Sequence, residues 1–286
     1  MSKTTSVGKN FFIGIWLSIR NCLVVITYET RRYLLSNRAL FLVAFCFVPT
    51  LLYVSFAGRT ASVEIYLHQY GYQWLSRYIL QIYVTFAYII NILVSIVVIQ
   101  ELFLHESAIE ILLSSTKRFE LFAGKTVTAI IMLIVTSLFT WIACVLAFFT
   151  WEENLPVTPG QFILAFLILI LVSLVPLTVT IFGNTMVMKF RSLSGLSSGV
   201  PIFVFFVVPF FIFSSVFLGF ATEEILEFST YFRVFFISNF FLMTEDERIV
   251  TSVDVTNALT LFSIIEVLSI VLAWLFFTTM ETRKKE

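Results

Sequence analysis

The sequence predicts an all-α integral membrane protein with six transmembrane helices, and three observations carry that prediction. The first is composition: 59% of the residues are hydrophobic, 13% are charged and the mean hydropathy is +0.98. A soluble domain sits nearer half apolar and about a quarter charged, so a soluble fold of this chain would show its apolar excess to water, whereas a bilayer absorbs it. The second is the recurrence of apolar runs of spanning length. The third is a one-sided distribution of Lys and Arg between those runs. The 34 Phe among 286 residues suit lipid-facing helices better than a tight soluble core.

A spanning helix needs about 20 mostly apolar residues. Residues 39–57, 78–99, 127–149, 162–182 and 258–279 meet that requirement. A sixth run, 200–220, contains Pro201 and Pro209. Proline frees a carbonyl one turn back and allows a kink, so this run is predicted to span but to bend. Two apolar segments are not spans. Residues 11–28 carry Arg20 and Asn21 in their middle. Burying Arg at the bilayer centre costs about 2.5–3.5 kcal/mol on insertion scales, a cost avoided by an interfacial amphipathic helix with Arg20 at the headgroups. Residues 231–243 contain Arg233 and Asn239 and are too short to cross, which predicts a re-entrant or surface segment on the outer side before the last span. No A-x-A site follows the first apolar run, so it reads as retained and not as a cleaved signal.

Orientation follows from the basic residues flanking the spans. With the N-terminus in the cytosol, Arg59, Arg77, Arg233 and Arg248 fall on the outer side, and every other Lys and Arg falls on the cytosolic side. The outer segments are acidic, with Glu223, Glu224, Glu245, Asp246 and Glu247 among their residues. The expected protein is therefore a multi-pass protein of the plasma membrane with both termini cytosolic. It forms one membrane domain, residues 1–286, in which 1–38 are a cytosolic tail and interfacial helix, 39–279 hold the six spans, and 280–286 are a second tail.

The chemistry legible in the chain is sparse. Cys22, Cys46 and Cys144 lie in apolar stretches with no CxxC spacing and read as small apolar fillers. The only histidines, His68 and His105, fall on opposite sides of the predicted membrane, which leaves no histidine-based metal site in one chain. Glu223–Glu224 suggests the EExxxR pattern of intramembrane prenyl-protein proteases, but Phe228 stands where Arg is needed and no span holds a histidine. Gly124-Lys125-Thr126 looks like the end of a phosphate-binding loop, yet Phe119 occupies the place of its first glycine. The chain is thus expected to be no enzyme, to hold no cofactor and to bind no nucleic acid. Any ATP driving it belongs to another subunit.

Glu266 is the one carboxylate well inside a predicted span. Ionisable groups at that depth face the protein interior or a water-filled path, so Glu266 is either a hydrogen-bonded structural group or part of a translocation path. Asn91, Gln100 and Asn184 lie in or near spans and are expected to hydrogen-bond between helices.

Residues 100–125 form the longest cytosolic connection. Glu101 and His105, and Glu106 and Glu110, are i,i+4 pairs that a helix would align. Leu102, Ile109, Leu112 and Leu113 supply an apolar side, Ser114-Ser115-Thr116 interrupts it, and a new helix is predicted from about Arg118 into the third span. This segment resembles the E-L-L-L-S-x-P-x-s-R-x-E-x-x-x-G-K stretch of type-2 ABC exporter permeases, with Glu110, Leu112, Leu113, Ser114, Arg118, Glu120, Gly124 and Lys125 at matching places. Residues 28–40 are similar to that family's approach to its first span, and the outer segment before the last span is similar to its re-entrant helices. Three positions depart from the pattern: Ala108-Ile109 replaces a common Gly-Thr, Thr116 replaces the turn proline, and Tyr28 replaces the approach lysine.

The resemblance implies a permease half that pairs with a second permease chain in the bilayer, above two copies of a cytosolic ABC ATPase carrying ATP and Mg. It implies a cytosolic coupling helix with Glu101, Glu106, Glu110, Lys117, Arg118 and Glu120 as coupling residues, and a connecting helix with Glu29, Arg31 and Arg32. The alternative it leaves is a non-transporting scaffold or mechanotransmitter bound to an ATPase. The scarcity of polar groups in the spans mildly favours a lipid-like or amphipathic substrate.

Overall fold

A computed structural model describes residues 4–57, 72–104, 117–149, 159–190 and 252–279. These form six helices, with no strand among the described residues: α1 (Thr4–Leu34), α2 (Asn37–Ala57), α3 (Tyr72–Leu104), α4 (Arg118–Phe149), α5 (Pro159–Lys189) and α6 (Ser252–Thr278). Three of them hold stretches long and apolar enough to cross a membrane, Arg118–Ala147, Ala165–Lys189 and Thr260–Thr278, and Leu40–Leu52 and Ala87–Phe103 are shorter apolar stretches. The expected run 200–220, the re-entrant segment 231–243 and the loop 105–116 lie outside the described residues.

The helices extend past the apolar runs that announce them. α4 begins at Arg118, as the break after Ser114-Ser115-Thr116 predicts, and runs for 32 residues, about 48 Å at 1.5 Å per residue. α3 continues through Gln100 and Glu101 to Leu104. Glu101 therefore belongs to the last turn of α3 and not to a separate coupling helix: with no Gly or Pro after Ile99 to stop it, the helix continues while Leu102 and Phe103 still find a core to enter (3% and 1% exposed).

Proline inside the bundle is handled locally. Pro49 in α2 and Pro176 in α5 each remove one backbone donor. Nearby threonines add donors to the same stretches: Thr50 Oγ1 donates to the Cys46 carbonyl at 2.7 Å and Thr180 Oγ1 to the Pro176 carbonyl at 2.6 Å. This back-bonding keeps hydroxyls satisfied where no water reaches.

α4 is the hub and touches each of the other five helices. The central cluster joins Val94, Val98 and Phe103 of α3, Met132 and Leu133 of α4, Leu177 and Ile181 of α5, and Phe277 of α6. Deep in this packing Asn91 donates to Ser137 Oγ and to Ser173 Oγ, both at 2.9 Å. It ties α3 to α4 and α5, the interhelical role expected of it. Asn184 behaves differently. Its amide donates to Thr180 O at 2.9 Å within its own helix, because a carbonyl one turn back is always within reach of a short amide.

Helix directions follow from which ends meet. Lys189, the last residue of α5, donates to Thr279 Oγ1 just past α6 at 2.9 Å, and Phe276 stacks on Phe182 with ring centroids 5.8 Å apart. α5 and α6 pack along one another with their C-termini together, so they run in the same direction. Ser252, which opens α6, therefore lies at the end of the bundle opposite Phe190, with 61 residues between them in the sequence.

Candidate functional site at one end of the bundle

The C-terminal ends of α3, α5 and α6 and the N-terminal ends of α2 and α4 share one pole of the molecule, and most of the charged residues singled out in the sequence lie there. α1 forms this pole's outer layer. It is a single helix of 31 residues, longer than the expected 11–28, and it ends at the Leu35–Ser36 turn, where Ser36 N and Oγ both donate to Tyr33 O at 3.1 and 2.7 Å.

The inward stripe of α1 is Ser18, Asn21, Cys22, Val25, Glu29 and Tyr33, spaced three and four residues apart, the spacing of one helix face. It is polar at both ends. Its outward face is apolar, with Trp16 67% exposed and Leu23 56% exposed. The sequence shows Arg20 and Asn21 as one interruption, but the structure separates them. Asn21 turns in to a partner on α4, and Arg20 is exposed on the outward face.

That partner is Glu120, 2% exposed. Its carboxylate accepts from Ser18 Oγ at 2.5 Å, from Asn21 Nδ2 at 2.9 Å and from the Lys117 backbone N–H at 3.1 Å. Three donors on one carboxylate suit its ionised, acceptor-only form. The Lys117 contact is half of a capping box: Glu120 is the third helical residue and reaches back to the residue that opens the helix. A negative charge is also favoured in a first turn. One side chain thus starts α4 and fastens α1 to it. The Cys22 thiol adds a contact to Glu120 O at 3.5 Å.

One turn further on, the two helices come into close contact. A Cβ on Gly124 would stand 2.6 Å from Val25 Cγ1 and 2.7 Å from Val25 Cβ, so only glycine admits α1 at this distance. Next to it, Lys125 is fully buried, its Nζ 5.9 Å from the centre of the Phe103 ring. Phe103 meets Phe122 and Phe277 edge-on, each at 6.1 Å between centroids, in an aromatic cluster that holds the ends of α3 and α6 against the start of α4.

Arg118 donates to Thr278 O at 3.0 Å, satisfying a terminal carbonyl of α6 and placing a cation at the negative end of its dipole. Arg32 donates to the buried Glu29 at 3.3 Å and lies 3.9 Å from Glu101 on α3. The structure therefore brings Glu29, Arg32, Glu101, Arg118 and Glu120 to one pole, with Lys117 exposed beside them. Arg31 is exposed on the outward face of α1, apart from this network. Glu106 and Glu110 lie outside the described residues. Glu266 is half-buried on α6, twelve residues before Thr278 and so about 18 Å along the helix from the charged pole. It shares a helix face with Phe262 and Ala273, which are buried.

In the sequence Lys125 stands among the loop cations with no role attached to it. Its signal was the glycine before it, since a glycine at which two helices close together also buries its neighbours. Among the described residues no group of three or more His, Cys, Asp or Glu comes together to hold a metal. What the pole offers instead is mechanical: a long outer helix fixed by hydrogen bonds and close contact to the first turns of the hub helix. No protein-family model matches the chain, and no curated protein matches its sequence.

Proposed function

We propose that this chain is the membrane-spanning permease subunit of an ATP-driven transporter of the type-2 ABC exporter kind, powered by a separate cytosolic ATPase. The observation that carries the reading is the α1–α4 joint. Three of the residues that carry the sequence resemblance have a mechanical task there: Glu120 fastens α1, Gly124 admits it, and Arg118 grips α6. A push on α1, or on the segment just before α4, is passed directly to the hub helix and through it to the rest of the bundle.

In this reading the charged pole faces the cytosol, and the loop 105–116 with Lys117 meets the ATPase. Closure of two ATPase copies on ATP moves the joint, and a pair of permease chains rocks between two access states, biased by which ATPase state binds better. The parallel run of α5 and α6 supports the topology. Six crossings with both termini cytosolic require the fourth and the sixth to run in the same direction, as α5 and α6 do. Glu266, on the inner face of α6 and away from the joint, is the candidate for the path.

The test is purification in mild detergent with mass spectrometry of what accompanies the chain. A stoichiometric ATPase with a phosphate-binding loop, lost when Glu106→Lys and Glu110→Lys are combined, supports the reading. A chain that purifies alone at every salt concentration defeats it. Transport by a Glu266→Gln variant that matched the parent at all pH values would remove Glu266 from the path.

A further inference from the structure

We infer that the outward face of α1 is a binding surface for anionic lipid headgroups. The inference rests on membrane insertion alone and not on the transport reading. Helices that dock on a soluble protein turn their apolar side inward and their charges outward. α1 reverses this, with Ser18, Asn21 and Glu29 inward and Trp16, Leu17, Leu23, Val24 and Tyr28 exposed. Along the middle of that exposed face stand Arg20 and Arg31, 11 residues apart, three helical turns and about 16 Å.

The charge on this face has one sign. Glu29 is the only carboxylate of α1 and is turned inward, 2% exposed. Among the described residues neither Arg20 nor Arg31 enters an ion pair. Arginines flanked by Trp, Tyr and Leu keep their apolar stems along hydrocarbon and lift their guanidinium groups to the phosphate level. A guanidinium accommodates a phosphate through two parallel N–H donors. The occupant with both required properties, a hydrocarbon layer and a row of phosphates bearing net negative charge, is the surface of an anionic leaflet. An acidic protein would complement the cations but would not account for the aliphatic and aromatic flanks.

The test uses the full chain in mild detergent, with phosphatidylglycerol and phosphatidylcholine titrated and bound lipid counted by native mass spectrometry. Each cation near an anionic surface contributes about fivefold in affinity. Arg20→Gln with Arg31→Gln is therefore expected to weaken phosphatidylglycerol binding about 25-fold and to leave phosphatidylcholine unchanged. Both residues are exposed, so the variant keeps the fold. A second measurement follows Trp16 fluorescence, taken as the difference from Trp16→Phe, in nanodiscs. Quenching by brominated lipid and not by aqueous iodide supports the inference. Unchanged phosphatidylglycerol affinity in the double variant overturns it, as does a Trp16 signal quenched by iodide alone or shielded from both quenchers, which would mark a water- or protein-covered face.

Discussion

α1 and α6 are both outer helices of this bundle, and they are held in opposite ways. α1 is fixed by directional contacts: three donors on Glu120, and a glycine that admits only one register against Val25. α6 is held mainly by apolar side chains along one stripe, Phe262, Ala273 and Phe277, with polar contacts at its last turn from Arg118 and Lys189. Most of its remaining surface is exposed leucine, isoleucine and valine. Hydrogen bonds and close backbone approach specify where a helix sits, whereas aliphatic packing specifies little more than that it is covered. The helix to which the proposed function gives a mechanical part is the specified one.

Four changes test that contrast, in descending order of effect. Glu120→Ala removes the acceptor of three donors, and bonds to a charged group contribute about 1.5–3 kcal/mol each with further cost for donors left unpaired. Thermal unfolding in detergent is expected to show a loss of about 3 kcal/mol, with α1 exposed to protease at lower temperature than the rest of the chain. If α1 and α6 became cleavable together, the joint would not be separable from the bundle.

Gly124→Ala is next. Placing a methyl where Val25 Cβ is 2.7 Å away is an overpacking change of about 1–3 kcal/mol. Combination with Val25→Gly is expected to recover part of the loss, since it removes the opposing atoms. Additive losses would show that the contact is not the cause. Asn91→Ala cuts the ties to Ser137 and Ser173. Interhelical hydrogen bonds inside membrane proteins average about 0.6 kcal/mol and reach about 1.7, so a loss near 1 kcal/mol in the same melt is expected. The smallest effect is that of Arg118→Gln, about 0.5 kcal/mol through the α6 terminus. It should appear in hydrogen exchange as lost protection confined to the final turn of α6. Loss of protection along the whole of α6 would mean that this helix depends on its cap and not on its apolar stripe.

Much of the fold was legible in the chain because apolar length is a one-dimensional property. The runs 39–57, 127–149 and 162–182 lie inside α2, α4 and α5, and the start of α4 at Arg118 was marked by the serines and threonine before it. The joint was less legible because it depends on which way a side chain faces. Arg20 and Asn21 are neighbours in sequence and sit on opposite sides of α1 in the structure, and only Glu120, about a hundred residues later, explains why. Lys125 looked like a cytosolic cation for the same reason: counting charge by segment takes no account of burial. Glu101 was assigned to a separate helix because polarity rises at Gln100, but a helix stops at a backbone signal and not at the first charge.

The common direction of α5 and α6 has a consequence in time. Neighbouring antiparallel helices can associate as soon as the second is made, but α6 follows α5 only after the 61 residues from 191 to 251. At 5–20 residues per second, synthesis of that stretch takes about 3–12 s. Through that interval both segments that form the Glu120 joint have been synthesised, while the flank of α5 is without its partner. The last helix is therefore the final part of the charged pole to be made, and its C-terminus completes the pole through Arg118 and Lys189.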